Sequence, residues 1–285
     1  MEWYVFLGNG LLMIGTLAVV MNCILILVSL RIGVRKVDVD LAVVLAAVDI
    51  ALTSITLCTT AVLLVSGRDL SSLDRICLVK GPVDFLGLFV SALLVMLIAI
   101  KRYMCAFDKR VPKVLVLGML GYSLGYVTLV AVTVVRGEFS KSPSGIDCAP
   151  NALASASAAS LVFMLGFSLL VFLLVTLACY LRICVLLMFQ LEQKPSSVFR
   201  RIRLAVRPIA ITSTYFVLIA PSSVLIMMES FGTSVDVAEK ASIVISVCLY
   251  SVSLANPCLV LFAHTLFYDR LWACVRNSCI CSTFR

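Results

Sequence analysis

The chain has 285 residues, 62% of them hydrophobic and only 13% charged, with a mean hydropathy of +1.14 and a formal net charge of +8. Soluble domains run at roughly 45–50% apolar and about 25% charged, so a water-soluble enzyme or binding module is excluded and an integral membrane protein is indicated. The positive charge does not point to nucleic acid, because it collects in short segments between long apolar runs.

A helix needs about 20 apolar residues to cross the hydrocarbon core. Runs of that kind predict membrane helices near 5–30, 41–65, 78–104, 114–135, 153–189, 203–228 and 241–264, with a short amphipathic interfacial helix near 266–280. The expected fold is an all-α membrane protein, a seven-transmembrane helix bundle in a single domain over 1–285. The first run lacks a preceding basic region and a small-residue cleavage pattern, and it is too long for a signal peptide, so it is expected to remain as a helix. No inverted repeat of the transporter kind is visible, and no connecting segment is large enough for an enzyme domain.

Lysine and arginine distribution sets the expected orientation. With the N-terminus outside and the C-terminus in the cytosol, seventeen of the 23 basic residues fall on the cytosolic side. A basic inner face also attracts anionic lipid headgroups, by about 1 kcal/mol per near-surface Lys or Arg.

Asn22 lies in helix one and Asp49 in the middle of helix two, in "VVLAAVDIALTS". A charge there costs about 2.5–3.5 kcal/mol on insertion scales, so Asp49 is expected to face the bundle interior. It reads as a polar hub shared with Asn22 and Asn256, and as a possible sodium or proton site; a hydrogen-bonded structural carboxyl is the alternative. Cys77 and Cys148 are the only cysteines expected in the outer loops, an oxidising compartment, and are predicted to pair, with two free thiols as the alternative. That bond would close a loop on the order of 70 residues, worth about 4 kcal/mol in the chain-entropy model.

Asp84, in "VKGPVDFLGLF", lies about 10 Å along helix three from Cys77 at 1.5 Å per residue. It is a candidate counter-ion for a cationic ligand; an i,i+4 pair with Lys80 or snorkelling to the interface is the competing reading. Phe85, Phe89, Met164 and Phe167 would suit a lipid or sterol, or simply pack the core. "LIAIKRYMCAFDKR" then carries Arg102 from hydrocarbon into a basic loop. The segment "RGEFSKSPSGIDCAPN" after helix four is rich in turn residues, and "QLEQKPSSVFRRIR" reads as two helix extensions meeting at Pro195.

Pro221 and Pro257 each remove a backbone hydrogen bond inside a helix, which makes a hinge plausible. His264 is the sole histidine, so a His-based metal site or acyl-transfer triad is excluded, and no cofactor is expected. After helix seven, "FYDRLWACVRNSCICSTFR" suits a helix lying in the interface, with Cys274, Cys279 and Cys281 as candidate palmitoylation sites.

These positions together resemble the rhodopsin-like (class A) G-protein-coupled receptors, in divergent form and over essentially the whole chain. Asn22 and Asp49 match the family's helix-one asparagine and helix-two aspartate. Cys77 precedes Arg102 by the family's interval between the disulfide cysteine and the arginine of its Asp-Arg-Tyr motif, with Tyr103 following. Tyr180, Pro221, Asn256 with Pro257, and Phe267 match positions in helices five to seven and the start of the interfacial helix. Tyr215 fits the helix-six aromatic one turn before the switch position.

The resemblance implies a receptor that engages a heterotrimeric G protein through Lys101, Arg102, Tyr103 and Tyr180, with Asn22, Asp49, Tyr215, Pro221, Asn256 and Pro257 as its switch. Departures bear on control. Lys101 replaces the acid that would restrain Arg102, and Arg201 lies near where many members carry a helix-six acid. Ile219 stands where a tryptophan is expected, Val260 where a tyrosine is expected, and Tyr126 is the nearest large aromatic to the missing helix-four tryptophan. Elevated basal activity is therefore expected. A non-signalling scavenger or heteromerising partner is the runner-up, and a small transporter the third reading; the ligand is expected to be a cationic small molecule or a lipid.

Overall fold

A computed structural model of the chain describes residues 2–32, 37–65, 70–107, 112–141, 148–151, 155–193, 198–230 and 235–263. In chain order the elements are α1 (Glu2–Ile32), α2 (Val37–Val65), α3 (Leu70–Ala106), α4 (Lys113–Val135), β1 (Phe139–Lys141), β2 (Cys148–Pro150), α5 (Ala156–Gln193), α6 (Val198–Ser230) and α7 (Val235–Ala263). Among the described residues, six of these helices hold a stretch long and apolar enough to cross a bilayer. In α6 the described apolar stretch is Ser213–Met228.

The helices close a ring in which α1 packs on α2 and α7, α2 on α3, α3 on α5, α5 on α6, and α6 on α7. By contrast, α4 leans on α3 and α5 from outside the ring. Its Val114, Leu117, Leu120 and Leu124 are exposed, as suits side chains bathed in lipid rather than water. The main apolar core gathers around α3, where Phe89, Met96 and Ala99 meet Tyr126 of α4 and Leu161, Leu165 and Leu169 of α5.

Helix α4 ends in a Schellman arrangement. The Gly137 amide donates to the Val134 carbonyl at 2.9 Å and the Glu138 amide to the Thr133 carbonyl at 3.1 Å, with Gly137 at φ +65°. A residue with a Cβ is strained at that φ, and glycine turns the chain back over the bundle. At the start of α5, the Ser155 hydroxyl caps the helix by accepting from the Ala158 amide at 3.0 Å.

The turn-rich segment between these two helices does more than turn. β1 and β2 pair antiparallel, Phe139 opposite Pro150 and Lys141 opposite Cys148. A small ribbon thus joins the otherwise helical fold, which the Ser, Pro and Gly content of the segment obscured. The Cys77–Cys148 disulfide ties β2 to α3. Cys77 lies inside α3 rather than in a loop, because nothing between Leu70 and Lys80 breaks a helix and α3 continues past its apolar run. Phe139 is buried against the same helix, edge-on to Phe85 with ring centroids 5.9 Å apart. It fits only because residue 81 is glycine: a Cβ there would lie 2.3 Å from the Phe139 ring.

Pro195, the expected interfacial helix near 266–280, His264, Phe267, and the candidate palmitoylation sites Cys274, Cys279 and Cys281 lie outside the described residues.

Candidate functional site

Three polar groupings line the interior, and the first is built on Asp49. Along α2, Asp49, Thr53, Thr56 and Thr60 recur at i, i+4, i+7 and i+11, which places them on one helix face. All four are buried, so that face meets protein rather than lipid. Asp49 is 1% exposed. The Ser91 hydroxyl donates to its Oδ1 at 2.5 Å, and the Asn256 amide nitrogen donates to its Oδ2 at 2.7 Å. The Tyr215 phenol in turn donates to Asn256 Oδ1. A single hydrogen-bonded chain therefore runs from α3 through α2 and α7 to α6.

Asn22 makes no hydrogen bond to this hub among the described residues. Its Nδ2 donates to the Ala18 carbonyl at 2.9 Å and across to the Ser253 carbonyl of α7 at 3.2 Å, while its Oδ1 accepts nothing among the described residues. Of the three residues expected to share one site, Asp49 and Asn256 touch, and Asn22 instead braces α1 against α7.

The second grouping surrounds Asp84. Lys80 is fully buried, and its Nζ stands 2.5 Å from Asp84 Oδ2. The Thr56 hydroxyl donates to Asp84 Oδ1 at 2.6 Å. Both carboxylate oxygens are thus engaged by the protein, and the i,i+4 pairing anticipated as the alternative to a ligand counter-ion is the arrangement found. A cavity of about 70 Å³ lies between α2, α3 and α7 and reaches from Asp84 to Asp49. Thr53, Ser91, Ser246 and Ser253 are among its walls. One ordered water needs ~10–15 Å³ of such space, so the cavity is roomy enough for several waters or a hydrated ion. Among the described residues no three His, Cys, Asp or Glu side chains cluster as a metal site, so hydroxyl and carboxylate oxygens around Asp49 are what a sodium ion would meet.

The third grouping is at the other end of α3. Arg102 is half-buried, and its guanidinium donates to the Tyr180 hydroxyl of α5 at 3.2 Å. Among the described residues no carboxylate lies within ion-pair distance of it. Lys101 and Tyr103 are likewise half-buried, and the Tyr103 ring packs on Phe107 at 4.7 Å.

The apolar positions singled out in the sequence separate. Phe89 is buried and stacked on Tyr126, centroids 4.1 Å apart and planes 9° from parallel, and the Tyr126 hydroxyl donates to the Phe85 carbonyl at 3.3 Å. Tyr126 therefore supplies the stacked aromatic contact between α4 and α3, beside a tilted one from Tyr122 to Phe89. Phe167 is 45% exposed and packs on Phe163 at the bundle surface, so it does not line an interior pocket. Ile219 is buried beside a void of about 10 Å³ between α3, α5 and α6, and Val260 packs with Leu25, Val28, Ala42 and Ala46.

Three interior contacts were not anticipated from sequence: Ser91 with Asp49, Thr56 with Asp84, and the Thr60–Tyr250 hydroxyl pair at 3.0 Å. Helical spacing carried part of the signal, since Ser91 follows Asp84 by seven residues, and Thr56 and Thr60 extend the Asp49 stripe.

The family described as seven-transmembrane receptors of the rhodopsin family matches residues 21–259. No curated protein matches the sequence significantly. Among solved structures, squid rhodopsin superposes with a TM-score of 0.66 at 17% identity, over 100% of this chain and 88% of that one. At that identity the likeness speaks for the fold.

Proposed function

Because the chain belongs to the rhodopsin family of seven-transmembrane receptors, we propose that it is a plasma-membrane receptor, N-terminus outside and C-terminus in the cytosol, that activates a heterotrimeric G protein. Arg102, Lys101, Tyr103 and Tyr180 form the coupling surface, and α6 tilts outward about Pro221 to open it. The observation that carries the reading is Arg102, poised at the end of α3 on one 3.2 Å bond to Tyr180, with no acidic partner among the described residues. With Lys101 in place of an acid, no ion pair among the described residues holds the arginine, which supports elevated basal activity.

The Asp84 geometry bears on the ligand. A cation would have to displace Lys80 from a buried carboxylate, whereas an uncharged or lipid-like ligand would not, so the lipid alternative is favoured over the amine. A sodium ion at Asp49 belongs to the same proposal, as do Cys274, Cys279 and Cys281 as palmitoylation sites. Ile219 and Val260, in place of the larger switch residues that the resemblance implies, favour a second reading, a heteromerising partner that modulates another receptor.

Purified protein in lipid vesicles is expected to raise nucleotide exchange on at least one of a panel of Gα subunits. Lys101→Glu, which supplies the missing acid, is expected to lower that basal rate about fivefold. No exchange above empty vesicles with any subunit contradicts signalling and leaves the heteromerising reading.

A further inference from the structure

Among the described residues, few contacts of a polar kind hold α6 against the bundle. No carboxylate among the described residues grips Arg102. Ile219 leaves a void of about 10 Å³ between α6, α3 and α5, and Tyr215 lines that same void. Among the described residues one polar attachment to another helix remains: the Tyr215 phenol donates to Asn256 of α7, which donates to Asp49 of α2, to which Ser91 of α3 also donates. Tyr215 and Asn256 are each 5% exposed or less, and neither lines the cavity beside Asp49, so solvent does not reach the bond between them.

We infer that Tyr215 is the positioning residue that fastens α6 to α7, its phenol acting as the restraint on α6 that no ion pair at Arg102 supplies. Tyr215 lies six residues before Pro221, about 9 Å along the helix at 1.5 Å per residue. Pro221 cannot donate a backbone bond, so the segment before it can tilt at that point. Any such tilt carries the phenol away from Asn256 and strands a buried amide oxygen. The bond therefore opposes the same motion that would open the Arg102 end. The consequence for signalling rests on the receptor reading above; the fastening of α6 does not.

The test compares Tyr215→Phe, Tyr215→Leu and Ser91→Ala with the wild type in lipid vesicles. Backbone hydrogen–deuterium exchange is followed over residues 198–214, and basal nucleotide exchange on Gα in parallel. Loss of one buried hydrogen bond is expected to speed deuterium uptake across 198–214 about fivefold in both Tyr215 variants. Residues 156–170 of α5 are expected to be unchanged. Ser91→Ala perturbs Asp49 from the α3 side without touching the α6–α7 bond, and should leave 198–214 as in the wild type. Basal nucleotide exchange is expected to rise with the deuterium effect.

Wild-type uptake in Tyr215→Phe overturns the inference. So does acceleration in Tyr215→Leu alone, which assigns the effect to packing volume, or equal acceleration in Ser91→Ala, which assigns it to the hub as a whole. Faster uptake in both Tyr215 variants with no Gα exchange by any protein, wild type included, supports the fastening and sinks the receptor reading.

Discussion

The two ends of α3 are held in opposite ways. At the Cys77 end a disulfide, a buried ion pair and a seated aromatic converge within three turns: Cys77 bonds β2, Lys80 pairs with Asp84, and Phe139 lies on Gly81 and Phe85. At the Arg102 end, among the described residues, one hydrogen bond joins the same helix to α5, from the Arg102 guanidinium to the neutral Tyr180 hydroxyl. In a receptor the loose end is expected to face the transducer.

Breaking the pinned end should cost the most. Cys148→Ser removes a cross-link over 71 residues, with an expected loss of about 4 kcal/mol of unfolding free energy in the chain-entropy model. Denaturant-induced unfolding in detergent, under reducing and non-reducing conditions, checks it, and the variant is expected to match the reduced wild type. Lys80→Ala comes next. It removes the Lys80 ammonium from the Asp84 carboxylate, which is 14% exposed and keeps the Thr56 bond. The expected cost is about 3 kcal/mol, at the low end for a broken buried pair. Lys80→Met with Asp84→Leu, which removes both charges, should recover most of that loss in the same unfolding measurement.

The smallest effect on stability is expected at the loose end. Tyr180→Phe takes away the partner of a half-buried arginine that water can reach, and should cost about 1 kcal/mol or less. A loss as large as that of Lys80→Ala would erase the contrast between the two ends.

Much of this arrangement is legible in the sequence because the bilayer restricts what a residue can do. Long apolar runs had to be helices, and Asp49 in the middle of one had to turn inward. The Lys80–Asp84 pair was also readable, since i,i+4 neighbours share a helix face whatever surrounds them. What sequence periodicity could not give were the partners supplied by other helices. Ser91 for Asp49, Thr56 for Asp84 and Tyr215 for Asn256 all depend on the rotation and depth of neighbouring helices, and no local pattern encodes these. The ribbon after α4 was hidden for a different reason. Its strands are three residues each, too short for alternation to show, and the disulfide and Phe139 hold them in place more than strand propensity does.

The central claim is that Arg102 is the point of contact with a G protein. Basal nucleotide exchange on a responsive Gα subunit, measured for wild type and Arg102→Ala at equal amounts in identical vesicles, tests it most directly. The expected result is exchange well above empty vesicles for the wild type and a return to background for Arg102→Ala, with the variant still folded by thermal unfolding. Equal rates for the two proteins, both above background, would contradict it.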